Sequence, residues 1–88
     1  MIEGLVLSGL VMTCDACPSQ WEAQDQHGHK IYARYRWGHL TVTRSDAPSN
    51  ELKDALVGTQ IYEGYHGDGL DGWMTTEVML IKTGMIRQ

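Results

Sequence analysis

Four residues with metal-ligand chemistry lie close together in this chain: Cys14 and Cys17 stand at C-x-x-C spacing, and His27 and His29 follow on the next turn. Thiolate and imidazole are ligands that zinc takes tetrahedrally, so the set reads as half of a small zinc module completed by the His pair. The pattern departs from a zinc knuckle, because Asp15, Ala16 and Pro18 stand where glycine would let backbone amides approach the sulfurs. The His-x-His pair is also closer than the ligand spacing of a finger helix. Two free, partly buried thiols are the competing reading, and we expect no resident cofactor, with zinc as the alternative.

A second constellation lies in Lys30–Thr43. Side chains alternate across a strand, so Ile31, Ala33, Tyr35 and Trp37 share one face while Tyr32, Arg34 and Arg36 share the other. On the return strand Leu40 and Val42 join the apolar side, and His39, Thr41 and Thr43 stand opposite. Tyr32, Arg34, Arg36, Thr41 and Thr43 therefore form a candidate binding row. Tyr and Arg are the residues that anchor protein interfaces. The same row resembles the stacking surface of a single-stranded nucleic-acid binder. Against nucleic acid, seven Lys and Arg oppose eleven Asp and Glu for a formal charge of −4, which disfavours attraction to a phosphate backbone. Glu63, Asp68 and Asp71 collect near a glycine-rich loop, but their spacing is not that of a calcium loop, and a solvated turn is expected. No nucleophile elbow, P-loop or dinucleotide fingerprint is present, so the chain is read as a binder and not an enzyme.

These residues must be positioned by few elements. Eighty-eight residues suffice for a single small domain with one core. The three Trp and four Tyr, with no Phe, suit surfaces where a ring is partly buried and its polar end stays wet. Trp21 and Ala23 open a first strand, Lys30 begins a second, and Trp37-Gly38 reverses into a third that loses its pattern at Ser45–Pro48. Trp21 and Trp37 are both expected in the core. Ser49 or Asn50 caps a short helix carrying Leu52, Ala55 and Leu56 that stops at Gly58. Thr59–Tyr65 is a fourth strand with Ile61 and Tyr65 on one face and Tyr62 on the other. After the loop Gly64–Gly72, Thr75 or Thr76 caps a second helix that Gly84 ends. The fold expected is α+β, an antiparallel sheet of three to four strands with two short helices.

The apolar run Leu5–Met12 is too short to span a bilayer, which takes about 20 residues. It lacks the basic flank and cleavage site of a signal peptide, so the chain is expected to be cytoplasmic. Residues 1–11 form either an N-terminal extension before a start at Met12 or an extra strand. The runs Cys17–Glu22, Ile31–Leu40 and Gly67–Gly72 with Thr76-Glu77 resemble short uncharacterised proteins encoded by phages and prophages. No activity comes with that resemblance. It implies a mobile-element protein whose partner is a host protein, bound and inhibited or modulated in the manner of small anti-defence proteins such as anti-CRISPRs. A homodimer is the other protein interface that a domain this small admits.

Overall fold

Strand pairing extends well beyond the expected meander. The computed structural model describes residues 2–15, 18–66 and 73–88. It contains the strands β1 (Val6–Asp15), β2 (Ser19–Asp25), β3 (His29–Arg36), β4 (His39–Pro48), β5 (Thr59–Tyr65) and β6 (Ile86–Arg87), and the helices α1 (Leu52–Leu56) and α2 (Thr76–Thr83). The strands form one six-stranded sheet in the order β5-β4-β3-β2-β1-β6, curled into half a barrel. Neighbours are antiparallel except β1 and β6, which pair in parallel.

This corrects the expected α+β fold with a three- to four-stranded antiparallel sheet. The protein is mostly sheet, and the sheet is mixed. The β1–β2 pairing shifts register between Ser8 and Val11 and again between Met12 and Cys14, so β1 loses the strict two-residue period that marks a strand in sequence. β6 spans two residues, too few to show any period.

The inner face is built by strict alternation. Trp21, Ala23, Ile31, Ala33, Tyr35, Leu40 and Val42 are all buried there, with Leu7 from β1. Ile2, Met74, Met79 and Met85 close over them. α2 and the residues just before it are fixed to this face by polar contacts: the Trp21 indole N–H donates to Thr76 Oγ1 at 2.9 Å and the Met74 N–H to Ser19 Oγ at 3.0 Å. The Tyr35 hydroxyl donates to the His66 carbonyl. Thr75 caps α2 by accepting from the Val78 N–H, and Gly84 ends it at φ 78°, a left-handed conformation that glycine adopts without a Cβ penalty.

Trp37 is a second correction: it is 55% exposed, not in the core. β3 ends at Arg36 and β4 begins at His39, leaving Trp37 and Gly38 as a two-residue turn with φ of 56° and 72°. Two positive φ values match the twist of a tight hairpin, and they lift Trp37 off the sheet. The register of the hairpin is as expected, with Tyr32 opposite Thr43, Arg34 opposite Thr41 and Arg36 opposite His39. In β5 the register shifts beside Val42/Thr43, so Ile61 and Tyr62 both pack against the core and Tyr65 stays exposed.

At the far end of the sheet Asp25 ties three segments together. Its Oδ1 accepts from the His27 and His29 N–H groups, each at 2.9 Å, and its Oδ2 from Arg44 Nε at 2.6 Å. Burial works against ionisation, but the His29 N–H, the Arg44 guanidinium and the His27 N–H outweigh it, holding the Asp25 carboxyl below its ordinary value.

Candidate functional site

The outer face of the sheet carries polar rows that run across several strands. One row is Glu63, Thr41, Arg34, Gln20 and Cys14, from β5 to β1, and the next includes Thr43, Tyr32 and Glu22. Tyr32, Arg34, Arg36, Thr41 and Thr43 are thus brought onto one face, as two adjacent strands require. They do not share one environment.

Tyr32 and Thr43 are half-buried and lie toward the end where α1 packs against β3 and β4. At that end the outward-facing Gln24 donates through Nε2 to the Ser49 carbonyl at 3.0 Å and to Asn50 Oδ1 at 2.5 Å. Burial pushes the Tyr32 phenol above its ordinary value, the Arg34 charge works against that rise, and Glu22 and Cys14 add to it.

Toward the hairpin tip, Arg34, Arg36, Trp37, His39 and Thr41 line a shallow concavity of about 270 Å³. No helix residue lines it. The chain has four arginines, Arg34, Arg36, Arg44 and Arg87. Arg44 pairs with Asp25 and Arg87 with Glu77, whereas neither arginine of the concavity has an ion pair among the described residues. The Arg36 guanidinium sits 5.1 Å from the centroid of the Trp37 ring, within cation–π range. Arg34 Nε is a buried side-chain donor with no hydrogen-bond partner among the described residues. His39 is held in place, with its Nε2 2.8 Å from Glu63 Oε2 and its ring stacked on Tyr65 at 4.4 Å. Tyr65 is 73% exposed, and beside Trp37 it gives the rim a second accessible ring.

Sequence reasoning placed Trp37 in the core and so missed it as a site residue. The signal that locates it is the Trp-Gly pair itself, since a two-residue hairpin turn takes both residues off the sheet.

The metal set is dispersed as far as it is described. Cys14 pairs with Gln20 near the start of β2, while His27 and His29 lie beyond its end. That separation is about 17 Å along the strand at 3.4 Å per residue, so the structure does not bring Cys14 together with either histidine. His29 Nδ1 is engaged with the Ser45 carbonyl at 2.7 Å, and His27 is exposed. Cys17, Asp68 and Asp71 lie outside the described residues. Among those residues no group of three or more His, Cys, Asp and Glu side chains is gathered, and no helix is long and apolar enough to cross a membrane.

Compared with known proteins, the chain matches no protein-family model, no curated protein and no solved structure.

Proposed function

We propose that this chain acts by binding another protein through the outer face of β3 and β4, with no reaction of its own. The observation that supports this is the concavity at the hairpin tip, where two arginines with no carboxylate partner among the described residues stand beside an exposed tryptophan. Arg and Trp are the side chains that contribute most when an interface closes over them. Exposed Trp37 and Tyr65 supply apolar area, and Arg34, Arg36 and Thr41 supply directional donors. Tyr32 and Thr43 extend the contact along the sheet. The resemblance of Ile31–Leu40 to phage and prophage proteins points to a cytoplasmic host protein as the partner, inhibited or modulated by occupancy of one of its surfaces.

The test is an Arg34→Glu/Arg36→Glu double variant, compared with wild type as tagged bait in host lysate and against labelled single-stranded oligonucleotide. Both side chains lie on the outer face, so the variant should keep the wild-type circular dichroism and lose one discrete captured protein. Neither form should bind oligonucleotide at physiological salt, given the net charge of −4. Oligonucleotide binding that weakens steeply with salt and disappears in the double variant would replace this reading with a nucleic-acid one.

A further inference from the structure

Resting on that protein-binding reading, we propose that the concavity of Arg34, Arg36, Trp37, His39 and Thr41 receives a carboxylate, the Asp or Glu side chain of an acidic segment of the partner. Two locally unfavourable features meet in this one place. Arg34 Nε is buried without a hydrogen-bond partner among the described residues, a state that costs free energy until an acceptor arrives. Trp37 adopts φ 56° and is the only non-glycine residue with positive φ among those described; a bulky side chain is an outlier in that region. Backbone and polar outliers of this kind persist where the surrounding structure holds a ligand-binding geometry.

The chemistry of the lining selects the ligand. Arg34 Nε–H and a terminal N–H on the same edge of the guanidinium form a planar fork that matches two carboxylate oxygens. In the free protein Nε is covered and has no acceptor among the described residues. A carboxylate that draws the guanidinium outward by a change of rotamer gives Nε the acceptor it lacks, and rotamer changes of this size are ordinary at interfaces. Thr41, directly across from Arg34, offers a hydroxyl, and Arg36 over the Trp37 ring adds a second positive charge. Glu63 reaches His39 at the rim, and Glu22 stands opposite Tyr32 in the next row. Glu63 is engaged by His39 and Glu22 by Lys30 at 3.2 Å, so neither carboxylate occupies the two arginines.

The experiment follows the side-chain Nε–Hε resonance of Arg34 and the indole N–H of Trp37 in ¹⁵N-labelled full-length protein. The probes are a capped Glu-rich hexapeptide, its Gln counterpart, inorganic phosphate and a short oligo-dT. The Glu peptide should shift both resonances saturably and the Gln peptide should not. Arg34→Lys retains the charge but not the fork, and should weaken the Glu peptide by about tenfold, whereas Arg87→Lys, at the remote Glu77 pair, should leave it unchanged. Equal responses to the Glu and Gln peptides, an Arg34→Lys variant that binds like wild type, or silence toward every probe would each overturn the assignment. Tighter binding of phosphate or oligo-dT than of the Glu peptide would overturn it in favour of a phosphate ligand. These failures remain distinct from failure of the protein-binding reading, because the double-variant capture does not depend on which ligand group the partner presents.

Discussion

Replacing Arg34 with Met should make the free protein more stable while removing its binding function. The buried, unpaired Arg34 Nε carries a desolvation cost of about 1–3 kcal/mol for a donor left without an acceptor. Methionine keeps an unbranched stem of similar length, so the packing of the Arg methylenes over the sheet is largely retained. No ion pair is lost, since none of those formed among the described residues involves Arg34. The expected gain is about 1–2 kcal/mol, against a total stability of about 4–13 kcal/mol for a domain of this length. It should raise Tm by roughly 4–8 °C per kcal/mol. Urea melts of wild type and variant at pH 7 measure the difference directly, with an unchanged m-value showing that the two denatured states are comparable. A loss of more than about 1 kcal/mol would refute the reasoning, because Arg34 would then be supporting the fold.

Trp37→Asn should behave in the same sense for a backbone reason: Asn-Gly is a preferred pair for a turn with two positive φ values, so stability should rise by about 1 kcal/mol while Glu-peptide binding falls. An unchanged or lower melting midpoint would argue that the Trp37 ring contributes more than its φ of 56° costs. Asp25→Asn should lose about 2–3 kcal/mol, below the full cost of breaking a buried pair because the Arg44 side chain is 31% exposed. The folded carboxyl of Asp25 lies below its ordinary value. Its contribution is therefore fully present above the unfolded pKa of about 3.9 and fades as pH falls through the folded value, so wild type and variant should converge in acid. A gap that widens as pH is lowered would contradict that sign. Gly58→Ala should be strongly destabilising, since an added Cβ would meet the Arg44 carbonyl oxygen at 2.0 Å; a wild-type urea midpoint would show that the turn between α1 and β5 is placed wrongly.

The central hairpin and its faces were legible in the sequence because β2, β3 and the start of β4 keep an unbroken two-residue period. The caps of α2 were legible for a similar reason, since Thr75 and Gly84 carry specific backbone chemistry. The six-stranded sheet was not. β1 breaks its period at two register shifts, and β6 becomes a strand through its parallel pairing with Val6 and Leu7, a tertiary contact that local sequence does not encode. β4 also runs on to Pro48, through residues whose turn-like types concealed it. Ser45 is buried there, accepting from the Lys30 N–H and donating to the Ala47 carbonyl. Of the candidate site, Arg34, Arg36 and Thr41 were read from alternation. Trp37 was misplaced because alternation was carried one residue past the point where the turn begins.

The most direct test of the protein-binding claim is site-specific photo-cross-linking in host cells, with benzoylphenylalanine placed at Thr43 on the outer face or at Glu77 on α2. One discrete protein adduct is expected from the Thr43 position, lost when Arg34 and Arg36 are changed to Glu, and none from the Glu77 position. A protein adduct from Glu77 alone, or a Thr43 adduct that survives the double change, would contradict the claim.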